Sequence, residues 1–220
     1  MAAAGGKARI ESLSDLIFGL ALSISALSLI ARPITDLSQI GQSILVYLFG
    51  FLILISVWLR YTRTMTYLRS DTPVALFLNV SLLFFVSVEP YLFNLMIAST
   101  SPVAGVSNED WWLYVSSLYA VDLGSLFFIL GMYNVAALSS GRGLLSGEDQ
   151  RHLRASRNAA IVSAAFIFVS IAPAFGSWIV FSGVPMRAIL WFAPLALMRG
   201  QRYLSRRPPF ANRGPGSAPP

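Results

Sequence analysis

The chain has 220 residues, of which 55% are hydrophobic and only 12% charged, and its mean hydropathy is +0.66. Soluble domains carry roughly 25% charged residues, so too few polar side chains are present to coat a water-soluble surface. Net charge is +6, cysteine is absent and His152 is the one histidine, which excludes disulfides, thiolate metal sites and multi-histidine metal sites within one chain.

The apolar runs are about 20 residues long, the length that spans a hydrocarbon core of ~30 Å as a helix. They are not the alternating ten-residue segments of an outer-membrane barrel. The fold class expected is therefore an all-α integral membrane protein. Six transmembrane helices are predicted, over residues 12–31, 40–60, 74–98, 111–137, 158–180 and 184–203. Residues 1–11 read as a flexible N-terminus, 12–203 as one membrane domain, and the Pro-, Gly- and Arg-rich residues 204–220 as a disordered tail. The first run is read as a span rather than a signal peptide, because it is longer than a signal's apolar core and contains Asp15.

Six spans put the N-terminus, the second and fourth connections and the tail on one side. That side holds 14 Lys and Arg residues, against Arg32 and Arg187 on the other. Cytoplasmic loops carry the excess of positive charge, so both termini are expected in the cytoplasm and the chain in the plasma membrane. The pI of about 10.1 then serves topology, and no nucleic-acid partner is expected. The glycine-rich "SSGRGLLSG" lacks the Lys-Ser/Thr ending of a phosphate loop. A lone loop histidine and no catalytic constellation argue against an enzyme, and no cofactor or structural metal is expected.

Polar residues inside the spans carry the functional question. Asp15 lies about one turn inside the first span, near Arg9 and Ser14. Arg9 and Asp15 are six residues apart, too far to pair along one helix, so each is expected to bond to a neighbouring helix. Glu89 and Asp122 lie deeper, at similar depths in the third and fourth spans. Buried carboxyls are costly and usually face a bundle interior or water. They could form a proton or cation relay, or a structural contact between helices or with Arg187 or Arg32; the structural reading is preferred. Trp111, Trp112, Tyr114, Trp178 and Tyr203 fall near span ends, as an interfacial belt does.

Along the first span, Leu16, Leu20, Ser23, Leu27 and Ile30 recur every three or four residues and share one stripe. A neighbouring stripe runs through Phe18, Ala21, Ser25 and Ser28. Periodicity leaves two readings of the first stripe: leucines toward lipid, or a wall facing water.

The segment "RIESLSD", Arg9 to Asp15, followed by an apolar helix, resembles the R-x-x-x-F-S-D signature of the endolysosomal potassium channel family, transmembrane protein 175, with its prokaryotic branch. "SVWLRYTR" around Trp58 is similar to the family's second-helix Trp segment. "FLNVSLLFFVSVEPYLF" resembles its third-helix Leu-Asn…Pro-Phe segment, and "LYAVDLGSLFFILGMY" its fourth helix. Leu13 stands where the family usually has Phe, and Tyr61 about where it often has His. The resemblance implies a homotetramer with a central pore lined by the first helix of each subunit, conducting potassium or other monovalent cations. It implies a pore constriction at Leu20 and Leu27, a polar layer at Ser23, and further pore-face positions at Leu16 and Ile30. It also implies that Arg9, Leu13, Ser14, Asp15 and Trp58 brace the pore helix. Relatives lack the carbonyl filter of ordinary potassium channels, and this sequence has no TVGYG-like run. The alternative is a proton-coupled membrane transporter using Glu89 and Asp122.

Overall fold

The computed structural model describes residues 2–30, 37–68, 72–97, 103–140, 145–177 and 186–192. These form seven helices and no strand among the described residues: α1 (Ala2–Ile30), α2 (Leu37–Met65), α3 (Pro73–Ile97), α4 (Asn108–Ser140), α5 (Gly147–Val169), α6 (Pro173–Ser177) and α7 (Met186–Leu190). Four are long and apolar enough to cross a membrane, over Arg9–Leu27, Ser43–Met65, Pro73–Met96 and Asn108–Ser140. They correspond to the first four expected spans.

Short polar signals set where helices begin. Thr72 precedes α3, and its Oγ1 accepts from the Ala75 N–H at 3.2 Å. Pro73 fills the first helical position, where a missing N–H costs nothing. Ser107 caps α4 by accepting from the Asp110 N–H at 3.1 Å, and Ser146 caps α5 by accepting from the Asp149 N–H at 3.1 Å. Both are followed three residues on by Asp, whose negative charge also suits the helix dipole. Without a cap to stop it, α1 runs back to Ala2, over residues expected to be loose. Ala2, Ala3, Ala4 and Ala8 supply the strongest helix propensity there.

The second half of the chain departs from the simple span pattern. The expected fifth span, 158–180, stops at Val169; a turn over Ser170–Ala172 follows and Pro173 opens α6. Proline removes a helix hydrogen bond and clashes with the preceding turn. Arg187, counted on the outer side at the start of the sixth expected span, is buried at this break. Its Nε donates to the Ser170 carbonyl at 2.8 Å and its Nη2 to the Ile171 carbonyl at 3.0 Å. Its Nη1 donates to the Leu113 carbonyl and to the hydroxyls of Ser116 and Ser117, at 3.1, 2.6 and 2.9 Å. Carbonyls freed by the helix break are thus met by a guanidinium, and every one of these acceptors is neutral. Of the expected sixth span, 184–203, only residues 186–192 are described; the rest, Arg32 and the tail 204–220 lie outside the described residues.

α4 is the central element, packed by α2, α3, α5 and α6, while α1 lies on α2 and α3. Two glycines let α5 approach α4 closely. A Cβ at Gly124 would sit 2.7 Å from the Phe168 ring, and one at Gly131 would sit 2.8 Å from Ile161 Cγ1. Small residues at helix crossings serve this purpose in membranes, where packing rather than water drives association.

Candidate functional site

The first helix has two unlike faces. Ser14, Phe18, Ala21 and Ser25 are 0–4% exposed, at the spacing of one helix stripe, and they meet the rest of the subunit. Leu16, Leu20 and Leu27 are 69%, 58% and 61% exposed, and Leu13 and Ile24 are exposed beside them. Ser23 lies within this outer stripe and is exposed too; its hydroxyl donates to the Gly19 carbonyl at 2.8 Å. The side chain of Ile30 lies outside the described residues. Leu16, Leu20, Ser23 and Leu27 therefore share one continuous, largely apolar face that no other described residue covers.

The buried face ends in a polar node joining four helices. Tyr61 Oη of α2 donates to Asn79 Oδ1 of α3 at 2.8 Å, and Tyr133 Oη of α4 donates to the same oxygen at 3.1 Å. Ser14 Oγ of α1 lies 2.8 Å from Tyr61 Oη and 3.3 Å from Asn79 Oδ1. An amide oxygen has two lone pairs, which the two tyrosines fill, and the one Ser14 proton is shared between Tyr61 Oη and the Ile10 carbonyl, each 2.8 Å away. Each of these three hydroxyls thereby has a use for its proton. The rings reinforce the node, Phe18 lying 6.0 Å from Tyr61 and Tyr61 lying edge-on to Tyr133 at 5.6 Å.

One turn along, Trp58 Nε1 of α2 donates to Asp15 Oδ1 of α1 at 2.9 Å. The Ser14–Asp15 pair thus ties α1 to α2 and α3, and through Asn79 to α4. Arg9 and Leu13 are exposed and join none of these bonds. Asp15 does bond to another helix, as its spacing from Arg9 requires.

A second buried cluster lies farther along α3 and α4. Glu89 is fully buried and Asp122 is 2% exposed. Tyr119 Oη donates to Glu89 Oε1 at 3.2 Å, which brings Glu89 level with the α4 turn that carries Asp122. Glu89 Oε2 and both Asp122 oxygens have no hydrogen-bond partner among the described residues. Neither carboxyl is paired with Arg187, whose donors are taken by carbonyls and serines. Rings pack around the tyrosine: Phe93 at 5.6 Å and Trp191 at 5.0 Å.

Asn79, Tyr133, Tyr119 and Arg187 are the functional-looking residues that single-residue reasoning passes over. Asn79 carries the visible signal, an amide in the middle of the apolar run "FLNVSLLFF". The tyrosines look like ordinary aromatics of a membrane helix until their partners are seen.

With this geometry in view, residues 9–90 of the chain match the family model for the endosomal/lysosomal potassium channel TMEM175. The match begins at Arg9, spans α1 and α2, and ends in α3 at Pro90; it includes every residue that ties α1 to its neighbours except Tyr133. The resemblance read from "RIESLSD" is borne out over that stretch. Neither the curated proteins nor the solved structures compared with the chain gave a match.

Proposed function

We propose, proceeding from the family match over residues 9–90, that four copies of this chain form a cation channel that conducts potassium. The observation that carries the proposal is the two-faced first helix: one stripe is buried against the subunit and hydrogen-bonded to it through Ser14, and the opposite stripe of Leu16, Leu20, Ser23 and Leu27 is left bare by the described residues. In a four-fold assembly that bare stripe lines the axis. Leu20 and Leu27 make two apolar rings, and Ser23 makes a ring of hydroxyls between them, with Ile30 one turn farther on. Apolar rings block ions by dewetting, and a small widening hydrates them. Four serine oxygens offer neutral dipoles that replace part of an ion's water shell and still release it. Ser14, Asp15 and Trp58 hold the helix and touch no ion, with Arg9 and Leu13 at the same end. The chain then follows the prokaryotic branch of the family, with six helices per subunit, residence in the plasma membrane and both termini in the cytoplasm.

Purified protein in potassium-loaded liposomes is expected to pass potassium without a nucleotide, and cross-linked protein to run as a tetramer. Intact tetramers with no flux above empty liposomes would contradict the proposal. Leu27→Ala is expected to raise conductance, since it widens one of the two apolar rings.

A second reading has its own observation, the three carboxyl oxygens of Glu89 and Asp122 that lack partners among the described residues. A proton-coupled transporter would use them to bind and release protons. It predicts saturable, pH-driven flux that Glu89→Gln or Asp122→Asn abolishes, whereas the channel reading predicts flux that survives either change.

A further inference from the structure

An arginine ladder on α5 sits at a depth that can be read from helix register. Gly131 lies against Ile161 and Gly124 against Phe168, so α4 and α5 run antiparallel and Asn134 falls level with Asn158. Thr64 Oγ1 donates to Asn134 Oδ1 at 3.4 Å, which puts the end of the apolar stretch Ser43–Met65 at the same level. Two helices change character near one plane: α2 carries Arg60 and Arg63 in its last turns before Met65, and α5 turns apolar from Ala159 onward. Beyond that plane the two stay together, since Tyr67 Oη donates to Asp149 Oδ1 at 3.0 Å.

Arg157, Arg154 and Arg151 climb α5 outward from the plane. At a rise of about 1.5 Å per residue they stand roughly 1.5, 6 and 10 Å outside it. The headgroup layer of one leaflet is about 5–7 Å thick, half the difference between the whole bilayer and its hydrocarbon core. Arg154 lies within that layer, with Arg157 at its inner edge and Arg151 just outside it, within reach of it through a long side chain. Arg151, His152 and Arg154 are exposed. Arg157 is partly buried, and its Nε and Nη2 donate to Asn158 Oδ1 at 3.1 and 2.9 Å, which holds its guanidinium at the boundary. Of the two acids in the first turn of α5, Asp149 is engaged by Ser146 and Tyr67, and Glu148, three residues before Arg151, leaves Arg154 and Arg157 beyond its helical neighbours. Topology alone asks for positive charge on this side; it does not ask for three guanidiniums at three-residue spacing along one helix.

We propose that Arg151, Arg154 and Arg157 form a binding ridge for the phosphate-bearing headgroups of anionic lipids in the adjacent leaflet. Arginine suits the task because its planar fork grips phosphate through two parallel hydrogen bonds. The proposal needs α5 at the membrane boundary and holds whether or not the first helix lines a pore.

The test is native mass spectrometry of the full chain in neutral detergent, titrated with phosphatidylglycerol or with phosphatidylcholine of the same acyl chains. Phosphatidylglycerol is expected to be retained preferentially, and the preference to weaken as salt is added. The double variant Arg151→Gln, Arg154→Gln is expected to lose phosphatidylglycerol affinity by roughly fivefold per arginine removed, with phosphatidylcholine unchanged. Arg154→Lys, which keeps the charge and loses the fork, is expected to fall between, and it serves if the double variant does not fold. Free inorganic phosphate at millimolar concentration is expected to leave the lipid bound. Equal retention of the two lipids, as a ridge serving an acidic soluble partner would give, overturns the proposal. So does an unchanged preference in a folded double variant, or displacement of the lipid by free phosphate.

Discussion

Asn79 and Glu89 are both polar residues of α3 that meet a tyrosine of α4, and the fold treats them oppositely. Around Asn79, hydroxyls from α1, α2 and α4 satisfy one amide oxygen and one another. Around Glu89, one tyrosine supplies one bond, and three carboxyl oxygens of Glu89 and Asp122 go without among the described residues. A fully bonded neutral network in a low-dielectric interior stabilises and specifies a packing. An under-bonded acidic one costs stability unless it serves something else. The first cluster is therefore a brace, and the second is where stability has been given up.

The largest effect should come from breaking the brace. Asn79→Leu leaves two buried tyrosine hydroxyls without their acceptor and is expected to cost about 2–5 kcal/mol. Thermal unfolding in detergent, followed by circular dichroism, would show a clear drop in midpoint. The same substitution at Asp122 should act with the opposite sign. Asp122→Leu removes a buried, unpaired carboxyl and is expected to be neutral or stabilising by about 1 kcal/mol. A loss at Asp122 as large as that at Asn79 would erase the contrast.

A smaller change separates the brace's edge from its centre. Trp58→Phe removes the bond to Asp15 and keeps most of the ring, so about 1 kcal/mol is expected to be lost. The smallest effect belongs to Tyr67, outside the apolar spans. Hydrogen bonds from Ser146 and then from Tyr67 hold the Asp149 carboxyl below its usual range, and the bond to Asp149 pushes the Tyr67 phenol up. The Asp149 contribution is fully present above an unfolded carboxyl value near 4 and fades as pH falls through the lowered one. The Tyr67 contribution is present below a phenol value near 10 and fades as pH rises through the raised one. Tyr67→Phe should therefore shift the unfolding midpoint slightly near pH 7, with no difference from the parent at pH values low enough to protonate Asp149.

The contrast also shows what could be read without coordinates. The four long apolar helices follow from run length, and the Asp15 partner on another helix follows from its spacing to Arg9. The shared depth of Glu89 and Asp122 was legible from counting residues. Which acid finds which donor was not, because Tyr119 reaches Glu89 only through the α3–α4 register, and nothing local encodes that. The break after Val169 was missed for a related reason. Hydropathy continues smoothly through "FVSIAPAFG", and a proline there is common enough in membrane helices to be absorbed. What fixes the break is Arg187, 17 residues from Ser170, arriving to bond the freed carbonyls. The outer stripe of α1 was visible as a period, while its direction needed the buried stripe opposite it.

That direction is the central claim, and the absence of cysteine from the chain makes it directly measurable. Single cysteines can be placed along α1 and the potassium current recorded while a positively charged thiol reagent is applied. Cysteine at Leu20, Ser23 and Leu27 is expected to react and change the current, whereas cysteine at Phe18, Ala21 and Ser25 is expected to stay silent. Current unaffected at the first three positions, or affected equally at all six, would contradict a pore lined by the bare face of the first helix.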